Sequence, residues 1–316
     1  MPTSKPLRIG VIGPAGFGGS YLCVELLNRG HTVIGISRSP QKLGKHERYI
    51  PRSIDIDDVS SSELAKVFEG VDVLVSEYGP HTAGADALLY MPFIETVRKI
   101  ILAVKQSTVK YFLFVGGAGS LHVPGTHECC VDHPDFFMAY RKAIATSEAH
   151  IAYMEERLGI MGTALRAYRN ARIAKREGRA TADDQKAIEE YETGIKRKDR
   201  ATDFIKAGRA AYMFFDGNTS FKWSFVSPSA LYRPGKRTGK YEISVDDMVL
   251  EGEQESENIF EGRLTGITVS DMAIAIADEI ESESLTYKHW SAIGDISEDR
   301  PAPAYLTLED TKGGSK

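Results

Sequence analysis

The feature that most constrains this chain is a glycine-rich turn between an apolar run and a helical pattern. The run LRIGVI covers residues 7–12, and leucines recur at helical spacing in SYLCVELLNRG. The intervening turn, GPAGFGG, has three glycines at three-residue intervals. Glycines let a diphosphate approach the backbone and meet the free N–H groups of a helix N-terminus. The turn therefore predicts a dinucleotide site, and the alternative is a tight turn that only closes strand onto helix. The predicted contacts are Gly13, Ala15, Gly16, Phe17, Gly18 and Gly19.

Strand and helix patterns alternate through the first 120 residues. Four further apolar runs, bounded by turn residues, lie at 31–39, 52–56, 71–79 and 110–120. Helical patterns cover residues 60–69 and 86–106. Short connections between alternating elements predict a doubly wound, parallel α/β sheet of the Rossmann kind.

The second half of the chain is less regular. A turn-rich loop is expected over 122–137, followed by a helix to about residue 157. The charged residues of the next segment predict a helical hairpin broken near Gly178, with Thr181 capping its second helix. This hairpin is expected to act as a lid or a dimer contact, and the alternative is a solvated protrusion. The predicted units are a dinucleotide-binding domain (1–160), the helical insertion (161–211), a small pocket-completing region (212–294) and a frayed polar tail (295–316).

The end of the second strand predicts which dinucleotide is bound. NAD-preferring sites carry an acidic residue there, whereas this chain has Ser37, Arg38 and Ser39. A guanidinium suits a 2′-phosphate that a carboxylate would repel, so NADPH is expected over NADH. The alternative for Arg38 is an ordinary solvated side chain. After the third strand, Asp55 and Ile56 are expected at the adenine, unless Asp55 is a turn residue.

Composition disfavours several other classes of function. With 39 basic and 44 acidic residues the formal charge is −5, which gives no basic field for nucleic acid. No run approaches the roughly 18 apolar residues of a membrane span, and residues 1–8 lack a signal-peptide core. Three cysteines are too few for a disulfide framework. We therefore expect a cytoplasmic protein with a small-molecule substrate, no nucleic-acid or membrane partner, and a homodimer as one option.

With these motifs placed, the chain resembles the atypical short-chain dehydrogenase/reductase group, especially its NmrA-like and NAD(P)H-flavin-reductase-like members. The resemblance covers roughly residues 7–160 and 221–282. It is carried by GVIGPAGFGGSYL (10–22), ISRSPQKL (36–43), GVDVLVSEYGP (70–80), YFLFVGGAGSL (111–121) and WSFVSPSALYRPGKRTGKY (223–241). It implies a Rossmann-like fold with a nicotinamide cofactor above the strand ends.

The same resemblance implies further contacts. This chain also departs from the family pattern in two places. Ser76 and Gly79 would lie along the cofactor, and Gly116 and Gly117 near the nicotinamide ribose. Residues 161–211 are an apparent insertion relative to typical relatives. The Y-x-x-x-K pair of typical short-chain dehydrogenases is also missing at its usual place.

The missing pair leaves the proton donor open. In short-chain dehydrogenases a tyrosine exchanges the substrate proton, and a lysine four residues later lowers its pKa. The pair Tyr232 and Lys236 has this spacing but is interrupted by a proline, so we exclude it. Tyr140 follows Ser120 by 20 residues and is the candidate donor together with it; the alternative is that Tyr140 only packs. Lys142 is the neighbouring cation. Because it is two residues after Tyr140, its side chain is expected on another side of the helix.

A loop after the fifth strand gathers His127, Cys129, Cys130, Asp132 and His133. Their spacing matches no common zinc site, so no metal is expected. Ligands of open α/β sheets bind where this loop begins. His133 or His127 is therefore a candidate acid or base near neutral pH, and the alternative is a structural role.

These patterns favour an NADPH-dependent oxidoreductase that transfers hydride to a small carbonyl, quinone-like or conjugated substrate. Two alternatives keep the cofactor: a redox-neutral isomerase, dehydratase or cyclase, and a non-enzymatic NADP-binding redox sensor. Aromatic residues are candidates for an apolar cavity or for ordinary core packing. They are Phe136, Phe137, Tyr212, Phe214, Phe215 and Trp223, of which Trp223 is expected in the core.

Overall fold

The computed structural model describes residues 5–79, 88–197 and 200–309. Its strands are β1 (Arg8–Ile12), β2 (Thr32–Ser37), β3 (Tyr49–Ser53), β4 (Val73–Ser76), β5 (Tyr111–Val115), β6 (Trp223–Val226), β7 (Leu231–Arg233), β8 (Tyr241–Val245), β9 (Gly266–Thr268) and β10 (His289–Gly294). Its helices are α1 (Phe17–Asn28), α2 (Ser61–Val67), α3 (Tyr90–Gln106), α4 (Phe136–Ile144), α5 (Glu148–Leu158), α6 (Ile160–Arg176), α7 (Ala182–Lys196), α8 (Arg200–Tyr212) and α9 (Val269–Ser282).

Eight strands form one sheet in the order β3-β2-β1-β4-β5-β6-β10-β8. Every neighbouring pair is parallel except β10 and β8, which are antiparallel. The chain runs outward from β1 to β3 and then continues on the other side with β4. Such a reversal opens a crevice at the carboxyl ends of β1 and β4. The predicted doubly wound, Rossmann-like sheet is confirmed, and β7 pairs with β9 in a small separate sheet.

Helices cover both faces of the sheet and bury its strands. Leu22 of α1 and Met272 of α9 are fully buried in one layer, where these two helices pack together. Ile100 of α3 lies in the opposite layer with Phe112 and Phe114. Strands covered on both faces read as continuous apolar runs, which explains why the sequence revealed them. Across the described ranges, no helix is long and apolar enough to cross a membrane.

The second half differs from expectation in its helix boundaries. The helix expected from about 138 to 157 is two helices, α4 and α5, because Ser147 caps α5 by accepting a hydrogen bond from the His150 N–H at 3.1 Å. The segment expected as a hairpin contains α6, α7 and a third helix, α8. Thr181 caps α7 as predicted, and Asp184 bonds back to the Thr181 N–H at 2.8 Å.

The segment expected to be a frayed tail packs against the N-terminal half of the fold as far as residue 309. Leu308 is buried, and its N–H donates to the Leu43 carbonyl at 2.7 Å. The Tyr21 hydroxyl donates to the Pro303 carbonyl at 2.6 Å. Buried apolar side chains and backbone bonds thus hold a segment that composition alone marked as polar. Predictions for residues 86–87, 198–199 and 310–316 lie outside the described residues.

Candidate functional site

A cavity of about 660 Å³ lies at the carboxyl ends of the parallel strands. Its wall is formed by residues at or after the ends of β1 to β6 and by side chains of α4, α5 and α8. This volume is typical of small-molecule sites. Eleven predicted cofactor residues line it: Gly13, Gly16, Phe17, Gly18, Ser37, Arg38, Asp55, Ile56, Gly79, Gly116 and Gly117.

The glycine turn has the backbone that a diphosphate requires. Gly13 has a φ of +79°, and a Cβ there would lie 3.1 Å from the Glu77 carbonyl oxygen. A Cβ on Gly19 would overlap the carbonyl oxygen of Gly13, so α1 can approach β1 only with glycine at this position. Gly16 is the N-cap of α1, and no side chain caps the helix. The first N–H groups of α1 are therefore free of intrahelical partners and suit an anion.

Three predicted cofactor residues do not line the cavity. Ala15 packs against the core layer beneath α1. Gly19 serves the close approach of helix and strand. Ser76 is fully buried, and its hydroxyl accepts a hydrogen bond from the Tyr78 N–H at 3.4 Å.

The rim of the cavity beside the ends of β2 and β3 carries a cation and a carboxylate. The Arg38 side chain is 61% exposed, and its Nε lies 4.0 Å from Asp55 Oδ2. Asp55 also accepts a hydrogen bond from the Asp57 N–H at 3.1 Å, which is the turn role considered from the sequence. Ile56 is buried beside them. That this guanidinium contacts a 2′-phosphate stays a prediction from the sequence.

Glu77 was not predicted, although it follows β4 directly and lies beside the glycine turn. Its Oε2 is 2.5 Å from the position of a Cβ on Gly18, and its buried Oε1 has no hydrogen-bond partner. Burial raises the pKa of Glu77 to about 7, while the Arg157 guanidinium opposes that rise. A protonated Glu77 is compatible with a neighbouring diphosphate. An acidic residue ending the apolar run VDVLVSE was the available signal.

Tyr153 and Arg157 of α5 form a hydrogen-bonded pair on the cavity wall. Arg157 Nη1 donates to the Tyr153 hydroxyl at 2.5 Å, and the Tyr153 ring stacks on Phe17 with centroids 4.2 Å apart. Burial raises the pKa of Tyr153 to about 12, and the guanidinium acts in the opposite direction. The Y-x-x-x-K pattern of typical short-chain dehydrogenases does not include this pair, because residue 157 is an arginine. Y-x-x-x-R has the same spacing, with a guanidinium in place of the ammonium group.

Of the four residues predicted for catalysis, Tyr140 alone lines the cavity. Ser120 is fully buried, and its hydroxyl donates to a backbone carbonyl at 2.8 Å. The Lys142 ammonium group pairs with a glutamate carboxylate at 3.1 Å. His133 packs edge-on against a phenylalanine, with its Nδ1 4.0 Å from an aspartate. The structure therefore does not bring these three side chains to Tyr140 in the cavity.

The His- and Cys-rich part of the loop after β5 and most of the predicted aromatic residues lie off the cavity wall. Within the described part of the chain, no three His, Cys, Asp or Glu side chains are grouped to hold a metal ion. Phe136 lines the cavity, whereas Phe137, Phe215 and Trp223 are buried in core clusters. Tyr212 packs on the ring of a buried histidine, with centroids 4.3 Å apart.

Comparisons with known proteins agree with this geometry. Residues 13–158 match a family model described as NAD(P)H-binding. The uncharacterized protein YwnB of Bacillus subtilis (strain 168) is 26% identical over 87% of this chain and 92% of its own length. Dihydroflavonol 4-reductase of Gerbera hybrida is 31% identical, over 39% of this chain and 37% of that enzyme.

Among solved structures, a provisionally named epimerase from Bacteroides thetaiotaomicron has a TM-score of 0.61 and 25% identity. The match covers 92% of this chain and 97% of the epimerase. The chain therefore carries an NAD(P)H-binding domain on a Rossmann fold. These matches agree with the resemblance to atypical, NmrA-like short-chain dehydrogenase/reductases seen in the sequence. These similarities support an NAD(P)-dependent oxidoreductase.

Proposed function

We propose that this NAD(P)H-binding protein is an NADPH-dependent oxidoreductase acting on a small carbonyl, quinone-like or conjugated compound. One observation carries the proposal. A single cavity joins the glycine turn and Arg38 to a wall that contains Tyr140 and the Tyr153–Arg157 pair. A dinucleotide site and a proton donor within one cavity are what carbonyl reduction requires.

The cofactor half supplies the binding groups. The free N–H groups at the start of α1 would hold the diphosphate, Arg38 the 2′-phosphate, and Ile56 the adenine ring. Gly116 and Gly117 follow β5 and leave room beside the central strands for the nicotinamide riboside. When bound, NADPH supplies the hydride.

The substrate half supplies the proton. The Tyr153 phenol would donate its proton to the substrate oxygen, and Arg157 would stabilise the phenolate that remains. A phenol whose pKa is raised to about 12 is protonated at neutral pH, which is the state needed for reduction. The Tyr140 hydroxyl would give the same oxygen a second hydrogen bond. Proton transfer from a positioned group contributes about 10²–10⁴-fold to a rate.

The test is NADPH consumption with a panel of 9,10-phenanthrenequinone, cinnamaldehyde and FMN. We expect one NADPH oxidised for each molecule of product, with NADPH bound more tightly than NADH. An absence of NADPH oxidation across the carbonyl, quinone and flavin classes would contradict the proposal. Equal affinity for the two dinucleotides would contradict its cofactor choice.

A redox-neutral reaction is the second candidate, favoured by the similarity to a provisionally named epimerase along nearly the whole chain. The two wall tyrosines would then remove and return protons while the cofactor is regenerated in each turnover. The same assay separates the candidates, because such an enzyme converts substrate without net loss of NADPH. A redox sensor would bind NADPH and convert nothing.

A further inference from the structure

We propose that the substrate half of the cavity binds a compound bearing a carboxylate, with Arg141 as its principal contact. The inference deepens the proposed function by naming the substrate class, and rests on it in assigning the opposite half of the cavity to the cofactor. It predicts that the substrate, before its reduction, is an anion rather than a neutral aldehyde or ketone.

Arg141 is a buried cation for which the described residues supply no counter-ion. It is 6% exposed, lies on α4 and lines the cavity. Its Nε has no hydrogen-bond partner, and no carboxylate in the described ranges lies within 4.0 Å of its guanidinium nitrogens. The Tyr140 ring lies beside the guanidinium, with its centroid 6.0 Å from Arg141 Cζ. A buried guanidinium is costly unless it is paired, and a carboxylate matches its donors in a two-pronged geometry.

Two other buried polar groups on the same wall also lack partners. Ser229, in the segment after β6, is 3% exposed, and its hydroxyl makes no hydrogen bond. His150 of α5 is buried, and its Nδ1 has no partner. Burial lowers the pKa of His150 to about 3, so the ring is neutral and can donate one hydrogen bond. Buried polar atoms are rarely left unpaired, so unpaired atoms on three separate elements around one cavity indicate a polar ligand.

The charged side chains around the wall indicate the sign of the ligand's charge. The described carboxylates that line the cavity are Asp55, Asp57 and Glu77, and all follow β3 or β4 on the cofactor half. Among the residues that the structure describes, the substrate half has Arg141 and Arg157 but no acidic side chain on its wall. Aromatic rings of α4 and α5 complete it. An aromatic or conjugated carboxylate fits both the positive charge and the rings.

The test compares benzoate with its neutral analogue benzamide by calorimetry on the full chain saturated with NADPH. We expect benzoate to bind at least tenfold more tightly, and Arg141→Met to remove that preference. The affinity for NADPH should change less than twofold. Arg169→Met is the matched control, because Arg169 pairs with Glu148 at 3.3 Å and lies off the cavity wall. It should leave the benzoate preference intact.

Thermal stability gives a second readout. Removing an unpaired buried cation should raise the Tm of the ligand-free protein, whereas Arg169→Met breaks an ion pair and should lower it. If Arg141→Met does not fold, Ser229→Ala decides instead. Benzoate binding should then weaken three- to tenfold, and unchanged benzoate binding in Ser229→Ala would overturn the proposal.

Other outcomes overturn the proposal without touching the oxidoreductase function. Equal binding of benzoate and benzamide, or a preference retained in Arg141→Met, would remove the carboxylate site. A tenfold loss of NADPH affinity in that variant would assign Arg141 to the cofactor phosphates instead. Conversely, a benzoate preference without NADPH oxidation on any compound would leave this site standing and refute the proposed reaction.

Discussion

The two halves of the cavity differ in whether backbone or side chains form their walls. Strand ends and turn backbone between Ile12 and Gly79, together with Gly116 and Gly117 after β5, form the half proposed for the cofactor. Side chains from α4, α5 and α8 form the substrate half, with Ser229 and Tyr305 contributed from distant segments. One half thus depends on where the backbone runs, and the other on which side chains several helices present.

Their polar groups differ in the same way. Seven side chains in the described residues have a buried polar atom without a hydrogen-bond partner, and four of them line the cavity. Arg141, His150 and Ser229 belong to the substrate half, and Glu77 to the cofactor half. Unpaired buried groups are costly, so they mark where a ligand completes the structure. The contrast indicates a backbone site for a common cofactor and a side-chain site for a particular substrate.

The largest expected effect comes from the side chain that would give up the proton. Tyr153→Phe should lower kcat by about 10²–10⁴-fold while NADPH binding is retained. Since burial raises the pKa of Tyr153 to about 12, the reduction rate should not decline between pH 6 and 9 through this group. Steady-state kinetics on the best-reduced member of the panel measures both.

Tyr168→Phe is the control for that experiment. Tyr168 is a buried tyrosine off the cavity wall, and its hydroxyl donates to Glu192 at 2.9 Å. Its loss should alter stability and leave kcat unchanged. If Tyr140→Phe carries the large loss and Tyr153→Phe costs less than tenfold, the two tyrosines exchange roles.

The next effect tests the rim of the cofactor half. Hydrogen bonds to charged groups contribute about 1.5–3 kcal/mol, so Arg38→Ala should weaken NADPH binding by roughly 10- to 150-fold. The 61% exposure of Arg38 favours the lower end of that range. NADH binding should change little. Arg98→Ala, an exposed arginine on α3 beside a glutamate, should affect neither dinucleotide. Equal weakening of both dinucleotides in Arg38→Ala would show that the guanidinium does not contact the 2′-phosphate.

A smaller, pH-dependent effect is expected at Glu77 of the cofactor half. Its pKa is raised to about 7, and ionisation would place a negative charge beside the diphosphate. NADPH affinity should therefore be highest below pH 7 and be about tenfold weaker at pH 8 than at pH 6. Glu77→Gln should abolish that dependence. Glu25→Gln, which removes a carboxylate of α1 paired with Arg29 off the wall, should preserve it. A flat profile in the unaltered protein would contradict this role.

The cofactor half could largely be predicted from the sequence, whereas the substrate half could not. Parallel strands buried on both faces gave uninterrupted apolar runs, and Gly13 and Gly19 are required by backbone contacts. The substrate half left no such pattern. Arg141 and Lys142 are adjacent cations, yet one is buried at the cavity and the other pairs with Glu261, 119 residues away. Only tertiary contacts decide which cation faces the ligand.

The smallest expected effect tests whether the helical insertion shapes the substrate half. Phe204 of α8 lines the cavity and packs edge-on against Phe93 of α3, with ring centroids 5.3 Å apart. Losing part of an apolar wall costs about 1 kcal/mol, so Phe204→Ala should raise the substrate KM about fivefold. NADPH affinity should be unchanged, because the residue belongs to the other half of the cavity. Met213→Ala, 65% exposed just after α8, should leave KM unaltered. If Phe204→Ala leaves the substrate KM unaltered, as expected for Met213→Ala, the insertion does not contact the substrate and α8 only packs on the sheet.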